Sequence, residues 1–300
     1  MNGGEAMRTL IPIVAITVLL ESGARAFEGA VIQKIAVIGE AGRYTFEEYA
    51  AHKRLSTAVI RDRYAATGIL VCGGMMGSAQ LTGANNIVTT SAHLFEDEKT
   101  CAALANPSEC IFKISQGAKV VGYRVAARVA TGFTCPNNRK MKAGDDWAIL
   151  RLEENVPGVT PYKYPYSESF ARADDEQVIA VAGASYDFFV TDRRGNKTYP
   201  RSIEDCTVKE VRYVSGNGAY VKTDCDGAMY SSGGSLMRAT PRGDVLIGIF
   251  KGTSETHDMA DEAVTVNRRN QRVYDSRNWF SLFVSATGEF LKALESAAPR

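Results

Sequence analysis

Histidine is scarce in this sequence. Only His52, His93 and His257 occur among 300 residues, so a mechanism that needs an imidazole base has three candidates. Charge imbalance is also missing. Lys plus Arg number 35 and Asp plus Glu 34, a net charge of +1, which excludes a general attraction to nucleic acid or to an anionic membrane surface. No C-x-x-C or H-x-x-x-H spacing occurs, so the sequence offers little for a metal site. Beyond residue 20 there is no run of about 18 apolar residues, which argues against stable membrane insertion of the mature chain. There is no repeat of fixed period and no low-complexity tract. Hydrophobic residues make up 45% of the chain, enough to bury a core and too many for a disordered tail.

The N-terminus carries an address. Residues 10–20, LIPIVAITVLL, are uncharged and too few to span a bilayer. Arg8 precedes them and Ala24-Arg25-Ala26 follows, an A-x-A pattern suited to signal peptidase. The segment 1–26 reads as a signal peptide, with Met7 as an alternative start. The rival reading is a buried N-terminal helix or an anchor. An exported chain is expected outside the cytoplasm, secreted or periplasmic, where disulfides persist. Six cysteines then allow many pairings. Cys101 and Cys110 share a short polar loop, and Cys206 and Cys225 flank two strand-like runs joined by SGNG. Pairing each of these leaves Cys72 with Cys135.

The body of the chain reads as strands. Short runs rich in β-branched residues recur at 68–74, 79–83, 86–91, 110–115, 119–130, 146–152, 177–185 and 244–252, separated by turn clusters such as TGANN, CPNN and SGNG. This spacing predicts an all-β barrel or sandwich. Helical patterns lie at the ends, over 45–60 and in the closing segment with Phe283, Phe290, Leu291 and Leu294 as its apolar positions. The stretch 154–168, with three prolines, suits a linker between two β halves.

Three motifs carry chemistry. In NNIVTTSAHLF a strand-like run ends just before His93, which places a base on a rigid element. In GDDWAILRL, Asp146 opens an apolar strand, where a carboxylate can be partly buried. In TDCDGAMYSSGGSLM, Ser232 precedes two glycines, a turn that can expose a nucleophilic oxygen beside free backbone N–H groups. Each motif alone has a structural explanation: a packed histidine, a turn aspartate, a surface loop. His52 and His257 lie in polar stretches and read as solvated.

In order and in wording the three motifs resemble the chymotrypsin-like serine proteases. TSAHLF is similar to the family's TAAHC, Asp146-Trp147-Ala148-Ile149-Leu150 to DIALL, and Ser231-Ser232-Gly233-Gly234-Ser235-Leu236 to DSGGPL. GIFKG (248–252) is similar to the strand lining the substrate cleft. His93 and Asp146 are 53 residues apart, and Asp146 and Ser232 are 86 apart. The resemblance is nearest to the bacterial secreted branch, including glutamyl endopeptidases. It implies an all-β fold of two antiparallel β-barrels with a C-terminal helix: signal peptide 1–26, N-terminal arm 27–55, first barrel 56–157, second barrel 158–278 and helix 279–300. It implies a Ser232–His93–Asp146 triad that needs no metal or organic cofactor, an oxyanion hole from the N–H groups of Tyr230 and Ser232, and peptide or protein substrates held near Asp226, Phe250, Lys251 and Gly252.

The sequence departs from the family at several points. Tyr230 stands where the family has Gly, and a bulky residue resists the backbone conformations open to Gly. Ser231 replaces the acidic residue that pairs with a freed N-terminus, so activation by that salt bridge is not expected. The family's I-V-G-G start is also missing after the signal segment, and Ser235 stands in place of Pro. Asp226 either selects a basic side chain from the base of the pocket or is a loop residue fixed beside Cys225. Phe250 stands where glutamyl endopeptidases carry His, which speaks against a Glu-selective pocket. A non-catalytic homologue that binds peptides or a partner protein is the alternative function.

Overall fold

The computed structural model describes residues 37–38, 42–133, 142–165, 176–191, 194–214, 218–241, 243–253, 263–266, 272–274 and 279–298. The segment expected as a signal peptide, His257 and Cys135 all lie outside them.

The described chain starts with β1 (Val37–Ile38), α1 (Phe46–Lys53) and α2 (Thr57–Arg63). The helical pattern over 45–60 is therefore two helices. Thr45 caps the first through a reciprocal pair with Glu48, Thr45 N–H to Oε2 at 2.8 Å and Glu48 N–H to Oγ1 at 3.2 Å. Arg54, at φ 56°, ends it in a left-handed turn, and Ser56 caps the second helix. Phe46, Tyr49, Ala50 and Ile60 are buried.

Six strands follow: β2 (Thr67–Cys72), β3 (Met75–Leu81), β4 (Ile87–Thr90), β5 (Cys110–Gln116), β6 (Lys119–Thr131) and β7 (Ala148–Leu152). They close into an antiparallel barrel in the order β2-β3-β4-β7-β6-β5. β5 shows the reason in its sequence: Cys110, Phe112 and Ile114 alternate inward. The remaining strands are β8 (Gln177–Ala182), β9 (Val190–Thr191), β10 (Lys197–Thr198), β11 (Ser202–Val214), β12 (Gly218–Thr223), β13 (Ser235–Arg238), β14 (Val245–Thr253), β15 (Ala263–Val266), β16 (Arg272–Tyr274) and β17 (Ser281–Ser285). A second closed barrel runs β11-β12-β17-β14-β13-β8. β9 pairs with β10, and β1, β16 and β15 form a small sheet beside the barrels. Two closed six-stranded antiparallel barrels make this the chymotrypsin-like fold.

α3 (Gly288–Ala297) closes the chain. Its Phe290 stacks on Trp147 of the first barrel at 5.0 Å between ring centroids, so the last element of the chain braces the segment carrying Asp146. The helix is shorter than the expected 279–300. Ser281–Ser285 is the strand β17 instead, and Phe283 points into the second barrel. In the segment SLFVS three consecutive apolar residues stand between two serines, and its pairing with β12 and β14 closes the barrel, which outweighs a helical spacing.

Two disulfides join described residues. Cys206–Cys225 links β11 to the end of the β12 hairpin as expected. Cys72 pairs with Cys110, so the expected Cys101–Cys110 and Cys72–Cys135 bridges do not form. The antiparallel register of β2 and β5 sets Cys72 directly opposite Cys110, and strand register outweighs nearness in sequence. Cys101 is also disulfide-bonded.

Candidate active site

β4 ends at Thr90, and a single 3₁₀ turn, Ala92–Leu94, lifts His93 off the barrel. A second 3₁₀ turn, Ala143–Asp145, delivers Asp146 just before β7, which pairs with β4. Adjacent strands thus present the two side chains to each other. His93 Nδ1 is 2.7 Å from Asp146 Oδ2, and the His93 N–H donates to Asp146 Oδ1 at 2.9 Å. Both carboxylate oxygens are used, which fixes the carboxylate and directs the His93 Nε2 away from it. Asp146 is fully buried. Burial would raise its pKa, but the charges of His93 and Lys251 with the two His93 hydrogen bonds hold it well below the usual carboxylate range. For His93, burial works downward, and Asp146 outweighs it so that the pKa ends above the ordinary histidine value. Lys251 pulls against that rise.

Ser232 reaches the same place from the second barrel, on the turn before β13. Its carbonyl accepts from Ser78 N–H at 2.7 Å. Gly233, at φ 84°, backs onto the first barrel so closely that a Cβ there would stand 2.2 Å from Ser78 O and 2.3 Å from Thr90 Oγ1. The turn bearing Ser232 therefore lies against the strand end bearing His93. Among the described residues no hydrogen bond joins Ser232 to His93.

Tyr230 adopts φ 74°, the left-handed region. Tyr230 thus holds a backbone conformation that favours glycine. In this turn the N–H groups of Ser231, Gly233 and Gly234 donate to Ala228 O, Phe250 O and Ser231 O. Among the described residues, neither the Tyr230 nor the Ser232 N–H donates to a protein acceptor. These are the two donors the sequence assigns to an oxyanion hole. The Tyr230 ring packs edge-on against Tyr186 and Tyr199, with centroids at 5.7 and 5.6 Å.

The expected substrate-binding residues fall into different surroundings. Phe250 is buried and points into the barrel against Phe283. Its backbone joins the site, with its carbonyl accepting from Gly233 N–H and Ser91 Oγ, both at 2.8 Å. The pairing of β14 with β17 skips a residue between Phe250 and Gly252. Lys251 is the extra residue of this bulge, and its side chain is aimed at the His93–Asp146 pair. Lys251 Nζ is 2.8 Å from Glu98 Oε2 and 3.4 Å from Asp146 Oδ2. A Cβ built at Gly252 meets open space. Asp226 faces its own chain: Oδ1 accepts from Ile38 N–H at 2.7 Å, and Oδ2 lies 3.4 Å from Arg43 Nε. The cavity between Asp226, Arg43, Gly234 and Phe250 has a volume of about 10 Å³, about that of one water. Burial pushes Asp226 up to about 6, against the pull of Arg43.

Glu98 was not legible as a site residue. It lies five residues past His93 in a polar loop, and only the fold brings its Oε1 to 3.9 Å from His93 Nδ1. His93, Glu98 and Asp146 have ligand-type atoms within 4.8 Å of one another, but the Lys251 ammonium already supplies a positive charge between the two carboxylates. His52 is exposed and stacks on Tyr44 at 5.1 Å, apart from this cluster.

No family model matches the chain, and no curated protein matches it. A solved structure described as a Glu endopeptidase in complex with MPD superimposes with a TM-score of 0.57 at 13% identity, over 88% of this chain and 100% of that one. At this identity the likeness is one of fold.

Proposed function

We propose that the chain is a secreted serine endopeptidase that hydrolyses peptide bonds through an acyl-enzyme. The observation that carries this reading is the two-point contact of His93 with buried Asp146, beside a turn that presents Ser232 and two N–H groups without protein acceptors. In the proposed cycle His93 takes the Ser232 proton as Oγ attacks the peptide carbonyl. Asp146 holds the imidazole tautomer and stabilises the imidazolium. The Tyr230 and Ser232 N–H groups receive the oxyanion. His93 then protonates the leaving amine, and water, deprotonated by His93, releases the acyl group. Every step uses protein groups and water. The N-terminal A-x-A segment and the disulfides support export. Asp226, already engaged by Arg43 and the Ile38 N–H, gives little support to a preference for basic side chains.

A second reading has its own support. The missing Ser232–His93 hydrogen bond suits a homologue that binds peptides without cleaving them. A fluorophosphonate probe separates the two. The expected result is a covalent adduct at Ser232 that is lost in Ser232→Ala and in His93→Ala. A folded protein that takes up no probe would overturn the enzyme reading in favour of the binding one.

A further inference from the structure

The Ser232 turn has an anchor behind it that no motif announces. Arg43 enters from the N-terminal arm, next to the bridge between Tyr44 and Ile203, and is 5% exposed. Its guanidinium grips Asp187 with two hydrogen bonds, Nη1 to Oδ1 at 2.8 Å and Nη2 to Oδ2. Nη1 also donates to Ser185 Oγ at 2.8 Å, and the group lies 5.7 Å over the Phe188 ring. Ser185 Oγ is in turn 2.9 Å from Asp187 Oδ1 and 2.9 Å from Ser231 Oγ.

Valence assigns the protons. Arg43 only donates, and ionised Asp187 only accepts. Burial works to raise the Asp187 pKa, but Arg43 holds it below the usual carboxylate range. Ser185 has one proton, which goes to Asp187, so Ser185 accepts from Ser231. Ser231 Oγ then accepts the Ala228 N–H at 3.4 Å, and Tyr186 N–H donates to Met229 O at 2.8 Å. A continuous polar chain thus runs from a buried ion pair to the residue before Ser232.

We propose that Arg43 is the positioning residue of the oxyanion turn: through Asp187 and Ser185 it holds Ser231, and so keeps the Tyr230 and Ser232 N–H groups in the orientation that receives an oxyanion. The proposal deepens the acyl-transfer reading and rests on it. Tyr230 is held in a backbone region that a bulky side chain leaves readily, so the turn needs an external tether. Ser231 cannot form the ion pair that an acidic residue would make there. Arg43 supplies the buried positive charge from a side chain, and no freed amino terminus is required at this place. Without Arg43, Asp187 loses its two-point guanidinium partner and the hydroxyl chain loses its fixed end.

The test is Arg43→Met and Arg43→Lys in the full chain, with two readouts. On a peptide ester substrate, Arg43→Met should lower kcat by about 100-fold, the loss expected for a displaced oxyanion donor, with KM within about threefold. Arg43→Lys should recover part of the loss. In amide hydrogen exchange, which needs no activity, residues 228–232 should exchange faster in Arg43→Met, through the hydrogen-bonded Ala228 and Ser231 N–H groups, while both barrels keep their protection. Unchanged exchange at 228–232 would overturn the proposal, as would acceleration spread evenly over both barrels, since Arg43 would then serve global stability alone. If the parent protein is inactive, the acyl-transfer reading fails, and local exchange still decides whether Arg43 sets the turn. If Arg43→Met does not fold, Ser185→Ala cuts the chain while keeping the Arg43–Asp187 pair. The same two measurements then apply: faster exchange confined to 228–232 supports the proposal, and unchanged or evenly spread exchange overturns it.

Discussion

Lys251 and Tyr230 are the residues at which this site differs most from what its motifs announce. The Lys251 ammonium touches Asp146 and Glu98 and acts on His93 through them. In the proposed reaction His93 must be neutral to accept a proton, so activity falls as pH drops through its pKa. Lys251 lowers that pKa. Lys251→Met therefore removes a lowering influence, and the acid limb of kcat/KM should move to higher pH. Glu98 raises the same pKa, so Glu98→Gln should move the limb to lower pH. A pH–rate profile of the two variants checks both signs, and a limb that stays put in both would remove this cluster from the titration. At Tyr230 the turn already has φ 74° with its N–H uncommitted. Tyr230→Gly is thus expected to leave turnover within about threefold, far from the about 100-fold that a missing donor costs. A large gain would show that the tyrosine deforms the hole. The release from left-handed strain, roughly 1–2 kcal/mol, opposes the loss of edge contacts to Tyr186 and Tyr199, about 0.5–1.5 kcal/mol each.

At the scale of elements, the turn Ser231–Gly234 is held from both sides. Gly233 is the point of closest approach, since a Cβ there would collide with Ser78 O and Thr90 Oγ1 and its φ of 84° disfavours any side chain. Gly233→Ala should cost about 2–4 kcal/mol, the range of a severe steric and backbone substitution, read as a lower midpoint in urea unfolding. A midpoint within error of the parent would mean that the two barrels are not in firm contact at this turn. Among the elements, the strands with clear inward alternation, such as Cys110–Gln116, were legible because one face must meet a core. The closing strand Ser281–Ser285 was not. Its apolar positions fit a helix as well as a strand, and only the free edges of β12 and β14 decide between them. The Lys251 bulge was equally invisible, because a skipped pairing depends on the partner strand.

At the scale of the molecule, a cluster of buried charges joins the N-terminal arm to the second barrel. Glu204 accepts the Asp226 N–H at 2.8 Å, and burial together with neighbouring Asp226 raises its pKa well above the ordinary value. The folded chain then keeps a proton that the unfolded chain gives up. This contribution to stability is complete below the ordinary carboxylate range and is lost as pH rises towards the folded pKa. Asp226 behaves alike between 3.8 and about 6. Glu204→Gln keeps an acceptor for the Asp226 N–H and removes the titration. The fall in Tm from pH 5 to pH 8 should shrink in this variant by a few degrees, as about 1 kcal/mol is worth about 2–4 °C in a protein of this size. An undiminished fall would locate the pH dependence elsewhere.

By itself the sequence determined the class of fold and the order of the three motifs that contain His93, Asp146 and Ser232. Alternation, turn chemistry and short motifs are local, and local patterns can be read along a chain. Only the tertiary structure decided that Cys72 meets Cys110, that Lys251 turns to Asp146, and that Arg43 stands behind the Ser232 turn. Each depends on strand register or on contacts between distant parts of the chain, such as Arg43 with Ser185, 142 positions away. Nothing in the neighbouring residues of either partner specifies such a pairing; the closure of the barrels does.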